Sequence, residues 1–331
     1  MTELGSDPRP GRILVVDLLG GLGDLVMALP VVHALHRHHP EAQLRVLTHA
    51  PGDVLLRHDP AVTAVSRAER GRERAAVLAE LDRWRPDLAV TTTRYDGIAD
   101  AIEGSVPQSV TNLWRSPPPD EPVTARYLRI LADEHVIDPG DVDLAPQVVL
   151  TDSERAEGER VLGPDEERPV VLVPSAGMAV KEWPYWRELA TALAGRAFVV
   201  GEPRVLDSWR GGPARLLPPM PLRALAAVFA AVGGRGGVVV GPDTGPVRLA
   251  AAAGARTVGI FGPTLAARYG LGSPGVDLQG LPGCPHRRPT SITEQVCWWE
   301  ARCPLSPRGP ACMADVAPAQ VLELLPVPVR R

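Results

Sequence analysis

Three short segments of the chain gather residue types suited to activating a nucleophile and releasing an anion. The first, Gly20-Gly21-Leu22-Gly23-Asp24, follows an apolar run and presents one carboxylate at the start of an amphipathic stretch. It stands where a dinucleotide fingerprint would stand. In a G-x-G-x-x-G register from Gly21, however, the third glycine falls on Val26, and no acid ends the next strand at Leu47 to His49 to grip a ribose. Asp24 can accept free amides as a helix cap, or act as a functional carboxylate, and the two roles are compatible. The second segment is Val173 to Trp186 (VPSAGMAVKEWPYW), in which a small-residue loop leads to Lys181. This is the only lysine beside 34 arginines. A neutral surface position would drift to Arg in such a chain, so a retained lysine suggests a compact ammonium suited to a phosphate. The alternative is one chance survivor. The third segment runs from Val240 to Gly254, where Asp243-Thr244-Gly245-Pro246 leads from a strand into an alanine-rich helix. Free amides and the helix dipole at such a start form an anion site. Asp243 there is either a helix cap beside Thr244 or a group that meets hydroxyls.

Alternating strands and helices must position these segments. Arg12 to Asp17 (RILVVD), Gln43 to Thr48, Val62 to Ser66 and Asp87 to Thr92 read as strands, separated by helical patterns at Asp24 to His39, Ala50 to His58 and Glu69 to Arg85. Ser116 to Pro122 and Asp138 to Gln147 have loop composition. A second cycle follows, with helices at Ser153 to Leu162, Trp186 to Ala194, Pro221 to Ala231 and Thr244 to Ala253. Its strands are Pro169 to Val173, Ala197 to Val200, Gly237 to Gly241 and Arg256 to Phe261, and Pro318 to Leu325 reads as a closing helix. This order predicts parallel sheets with crossover helices in two Rossmann-like halves facing a cleft, residues 1–150 and 151–331.

Composition narrows the function classes. The 331 residues carry a net charge of −4, so no global positive field exists to hold a nucleic acid. No apolar run reaches the ~18 residues of a membrane span, and Met1 to Gly11 lacks the layout of a signal peptide. A cytoplasmic protein is the expectation. The bias of Arg over Lys fits a GC-rich genome.

Taken together, the segments resemble glycosyltransferase family 9, the ADP-heptose:lipopolysaccharide heptosyltransferases. The likeness rests on Leu22-Gly23-Asp24, on Lys181-Glu182-Trp183-Pro184 as K-x-W-P, on D-T-G-P-x-x-L-A-A-A from Asp243 to Ala252, and on Phe261 to Thr264 as F-G-P-T. The resemblance implies an α/β protein of the GT-B fold. It places the acceptor on an N-terminal domain (1–150) and the nucleotide-sugar donor on a C-terminal domain (151–331). It also implies inverting transfer of a sugar, a heptose from an ADP-activated donor, with no cofactor and no metal ion. Asp24 takes the place of the catalytic base, and Lys181 with the amides of Thr244 and Gly245 that of the diphosphate partner. Ser175, Pro246 and Glu202 join the donor side, with Glu202 reaching the ribose, and Asp243 meets sugar hydroxyls. Gly20, Gly21 and Gly23 form the acceptor-side loop. Partners are a small-molecule donor and acceptor, not nucleic acid.

Departures from the family pattern bear on the acceptor. Gly20-Gly21 stand where relatives often have serines, Leu18 where they often have arginine, Ser175-Ala176-Gly177 where Gly-Ala plus a hydroxyl is usual, and Arg248 where His is common. The acceptor then need not be an anionic lipopolysaccharide core, and a small-molecule or natural-product acceptor fits. A nucleotide-sugar 2-epimerase and an inactive sugar-nucleotide-binding relative are the competing readings. Cys284, Cys297, Cys303 and Cys312, spaced by 12, 5 and 8 residues, form no standard zinc pattern. Relatives often carry a similar cluster ending in C-P and C-M. A structural role is expected, against bound metal or redox pairing. His33, His36, His38 and His39 read as a solvated run at a helix C-terminus. Trp298 and Trp299 read as packing in the cysteine loop, against stacking on a ligand.

Overall fold

Runs such as Leu14-Val15-Val16 and Val238-Val239-Val240 are apolar on both faces of a strand, and such strands need helices on either side. The structure, a computed structural model, describes residues 9–115, 117–164 and 166–326. Most of the Met1 to Gly11 stretch therefore lies outside the described residues, as does Ser116. The described parts of Met1–Ser116 and Thr124–Val149 form one compact unit, and those of Pro117–Val123 and Leu150–Arg331 a second.

The first unit contains β1 (Arg12–Asp17), α1 (Leu22–His38), β2 (Gln43–His49), β3 (Ala64–Ala68), α2 (Glu73–Trp84), β4 (Leu88–Thr91), α3 (Ile98–Glu103) and β5 (Gln108–Val110). α4 (Val123–Asp133) follows. Its sheet runs β3-β2-β1-β4-β5, with every described pairing parallel. Leu14, Val16, Val77, Leu81, Trp84, Ile98 and Ile102 pack together on one side of it.

The second unit contains α5 (Asp152–Leu162), β6 (Val170–Leu172), α6 (Trp186–Ala192), β7 (Ala197–Val199), α7 (Pro203–Ser208), β8 (Arg215–Leu216) and α8 (Leu222–Gly234). The chain continues with β9 (Val238–Pro242), α9 (Gly245–Ala252), β10 (Arg256–Phe261), α10 (Ala266–Tyr269), β11 (Val276–Gln279), α11 (Ala311–Ala314) and α12 (Pro318–Leu322). Its sheet order is β11-β10-β9-β6-β7-β8, again parallel. Here Val170, Leu172, Val238, Val240, Val258 and Ile260 meet Trp183, Trp186, Leu189 and the C-terminal Val316 and Val321.

Three expected elements differ. The helix at Ala50 to His58 is a short 3-10 turn, Gly52–Leu56. A Cβ on Gly52 would lie 2.7 Å from Leu25 Cδ2, so glycine lets this segment lie close against α1. The strand expected at Val62 to Ser66 starts two residues later. The turn closed by Val62 N–H donating to Asp59 O (3.1 Å) uses those residues first. The proline-rich 117–122 segment goes with the second unit, where Arg268 Nη1 donates to Pro118 O (3.0 Å). The histidine run is also less solvated than expected. His33 Nε2 pairs with Asp59 Oδ2 (2.9 Å), and His39 is buried against Val136 O (3.1 Å), with burial pushing its pKa down.

A buried acid ends β1 in the first unit. Asp17, at the C-terminal end of β1, is 2% exposed and accepts a hydrogen bond from Thr92 Oγ1 (2.6 Å). Burial first, and then the charge of Asp24, push its carboxyl up to about 7. The folded state therefore holds a proton that the unfolded chain releases near ~4, so stability falls as pH rises between these values. Asp17→Asn keeps an acceptor for Thr92 and removes the charge. Urea denaturation is expected to show little change near pH ~4 and a gain on the order of a few kcal/mol near pH ~8. A loss at the higher pH would contradict the assignment.

Candidate functional site

In a doubly wound sheet, ligands bind at the carboxyl ends of strands where the winding reverses. In the second unit that point lies between β6 and β9, because the chain winds outward from β6 through β8 and returns to β6's other side. The loop after β6 carries Lys181 at the end of a 3-10 turn, Ala179–Lys181. Two residues on, Trp183 is buried, stacks edge-on against Trp186 (4.8 Å) and donates Nε1–H to Val316 O (2.8 Å). In K-x-W-P the tryptophan is thus an anchor that fixes where the lysine can reach. Val180 adds a second anchor on the other side of Lys181.

From this base the ammonium meets the end of β9. Lys181 Nζ donates to Asp243 O (3.0 Å) and to Asp243 Oδ2 (2.9 Å). Thr264 Oγ1 donates to the same Oδ2 (2.8 Å), and Arg248 Nη2 donates to Oδ1 and to Tyr269 O (2.5 Å). Asp243 is 4% exposed. Burial would push its carboxyl up, but Arg248, Lys181 and the donated hydrogen bonds outweigh it and hold the group well below the usual carboxylate range. Both oxygens already take protein donors. The side chain is accordingly placed to hold Lys181. Nearby, Asp277 accepts from Leu271 N–H (3.0 Å), leaves Oδ1 buried without a hydrogen-bond partner, and is pushed up to about 6, chiefly by burial.

Helix α9 starts directly beyond this carboxylate. Thr244 is its N-cap residue, in extended backbone, yet its side chain makes no capping bond, and Oγ1 is buried without a partner. Pro246 in the first turn offers no N–H, which leaves Gly245 and Val247 as the forward amides. A Cβ on Gly241 would lie 2.2 Å from Val247 Cγ2, so glycine is what lets α9 close on the end of β9. Half-buried Ser175 lies in the loop between β6 and Lys181, and exposed Glu202 is the N-cap residue of α7. Neither makes a described contact with the Lys181 network.

The first unit reverses its winding between β1 and β4, and the Gly20 to Asp24 loop leaves β1 there. Asp24 is the third residue of α1 and not its cap. Its Oδ2 accepts from Gly21 N–H (3.1 Å). A Cβ on Gly21 would lie 2.7 Å from that oxygen, so glycine here lets the carboxylate fold back. Gly20 has φ +106, a region that favours glycine, and its carbonyl accepts from Arg70 Nη2 (2.5 Å). Gly23 lies within the first turn of α1. Threonines at the end of β4, unremarked in the sequence, secure the loop. Leu18 N–H donates to Thr93 Oγ1 (2.8 Å), and Thr91 Oγ1 donates to Val16 O (3.1 Å).

The four cysteines are free; Cys297 and Cys312 are buried, and burial pushes Cys312 up to about 12. Among the described residues no group of three or more His, Cys, Asp and Glu is arranged to hold a metal ion. Trp298 is packed and Trp299 is exposed, so the pair divides between the two environments. Arg248, Thr264 and Asp17 were not legible as site residues. Arg248 entered only as a departure where His is common and Thr264 only as the end of F-G-P-T.

The model for glycosyltransferase family 9 (heptosyltransferase) matches residues 106–280. No curated protein sequence matches the chain. Among solved structures, E. coli ADP-heptose lps heptosyltransferase II is 19% identical, covering 94% of this chain and 96% of its own, with a TM-score of 0.69. E. coli heptosyltransferase WaaC with ADP-2-deoxy-2-fluoro heptose is 18% identical over 82% of this chain and 94% of its own (TM-score 0.62). The iron-containing dodecameric glycosyltransferase TibC from enterotoxigenic E. coli is 17% identical over 95% and 74% (TM-score 0.61). At these identities the likeness establishes the fold: α/β with two parallel sheets, as in GT-B heptosyltransferases. With more than half of its length matched by the family model, the chain belongs to glycosyltransferase family 9 and is a glycosyltransferase.

Proposed function

We propose that the enzyme transfers a heptose, with inversion, from an ADP-activated donor to a hydroxyl or similar nucleophile of a small-molecule acceptor. The observation that carries this reading is the pair of half-buried Lys181 with buried Asp243 beside the start of α9, with Thr244 Oγ1 unpartnered. An ammonium, a hydroxyl and forward helix amides in one place suit a nucleoside diphosphate better than a neutral ligand. The structural neighbours that carry ADP or ADP-heptose in their descriptions support adenine and heptose as donor components. We place the donor on the second unit, the acceptor on the first, and the enzyme in the cytoplasm with its soluble donor. Among the described residues no helix is long and apolar enough to cross a membrane.

In this reading Asp24 accepts the proton of the acceptor hydroxyl as its oxygen bonds to the anomeric carbon. The bond from that carbon to the diphosphate oxygen breaks, and the electron pair leaves with ADP. Lys181 and the α9 amides meet the developing charge, so no divalent cation is required. A single displacement inverts the anomeric centre. Ser175 and Glu202 complete the donor side.

Asp24→Asn is expected to lower transfer by about 10²–10⁴-fold while calorimetry shows ADP binding unchanged. Retained turnover would exclude Asp24 as the base. Lys181→Ala should weaken ADP binding by about 10-fold or more, the cost of one charged hydrogen bond, and wild-type transfer rates should be the same with EDTA present. Unaltered ADP affinity in that variant, or loss of activity in EDTA, would count against the metal-free diphosphate site.

A further inference from the structure

The cysteine-bearing segment makes contacts that its thiols do not explain. Trp298 is 6% exposed, whereas its neighbour Trp299 is 74% exposed, so the chain turns one indole of the pair inward. That ring lies over the ammonium of Lys181, with Nζ 5.4 Å from its centroid. Trp298 and Cys297 also pack on Val180, with Met178 against the same cluster, so the segment grips the residues that lead into Lys181. A second grip is on the other end of the network. Arg287 Nη2 donates to Gly262 O and Gly280 O, both at 2.8 Å. A Cβ on Gly262 would lie 2.4 Å from Met313 Sδ and 3.0 Å from Cys312 Sγ. Two residues beyond Gly262, Thr264 donates to Asp243.

An ammonium has three donors, and Lys181 gives two hydrogen bonds to Asp243. An aromatic face within ~6 Å attracts the same cation without consuming a donor. We infer that Trp298 is a positioning residue for the donor site, its indole holding the Lys181 ammonium against Asp243 so that the remaining N–H is presented to a nucleoside diphosphate. The inference rests on the proposed meeting of Lys181 with the diphosphate. It assigns the 284–312 segment a part in donor binding that is separate from its thiol chemistry.

Because Lys181 is the sole lysine, isotope-labelled lysine yields a single set of side-chain resonances. In the full-length protein its ε-methylene protons are expected upfield of the free amino acid through the indole ring current. Trp298→Ala and Trp298→Leu should abolish that displacement, and Trp298→Phe should keep part of it. ADP titration should give a dissociation constant raised by about 5- to 30-fold in the Ala and Leu variants, the worth of a desolvated cation–π contact, with Phe restoring most of the affinity. Placed on Lys181→Ala, Trp298→Leu should add nothing. The inference is overturned if the lysine resonances do not respond to position 298, if Leu binds ADP as well as Phe does, or if the loss is the same with and without Lys181. If the ring-current displacement is present but Lys181→Ala binds ADP normally, the diphosphate reading has failed and the Lys181–Trp298 contact itself stands.

Discussion

Asp243 sits in the protein interior, where an isolated carboxylate would be costly, and it is stabilised by two converging cations and a hydroxyl. Lys181 arrives from the loop after β6, Arg248 from one turn into α9, and Thr264 from the end of β10. Removing one partner from such an arrangement leaves a buried charge uncompensated, which typically costs about 3–5 kcal/mol. The three strand ends are therefore held in one geometry by a single anion. That geometry fixes where the ammonium points, and with it the charge available to a ligand at the start of α9.

The rest of the second unit supports this centre. Trp183 ties the lysine loop to the C-terminal segment through Val316, and Gly241 lets α9 approach β9 closely enough for Arg248 to reach back. Winding reversal between β6 and β9 supplies the opening that such a centre needs. The first unit solves a parallel problem by other means. Its loop between β1 and α1 is held by threonines of β4 and by Arg70, while Asp24 is folded back by its bond to Gly21. Asp17 lies buried at the end of β1, and the charge of Asp24 adds to burial in raising its carboxyl.

Much of this was legible in the sequence because it depends on local pattern. Continuous apolar runs gave many of the strands of both sheets, and the solitary lysine in K-x-W-P marked the residue that closes on Asp243 at the end of β9. What was not legible depends on packing between distant segments. Whether Asp243 faces a ligand or a pair of cations cannot be read from D-T-G-P, since Thr264 and Lys181 are remote in the chain. Spacing made His39 look like a solvated helix end, but Val136 buries it. Asp17 reads as the last residue of a strand, and only its neighbours make it a core acid. Strands β5 (QSV), β8 (RL) and β11 (VDLQ) lack the continuous apolar run that marked the equally short β6 and β7, so pattern did not declare them.

The central claim is that Lys181, fixed by Asp243, and the start of α9 form a receptor for the terminal phosphate of a nucleoside diphosphate. Calorimetric comparison of ADP, AMP and adenosine in EDTA tests it most directly. The account predicts that ADP binds at least about tenfold more tightly than AMP, the worth of a charged hydrogen bond to the added phosphate, and that adenosine binds more weakly than either. Equal affinities across the three, or ADP binding that appears only when a divalent cation is restored, would contradict it.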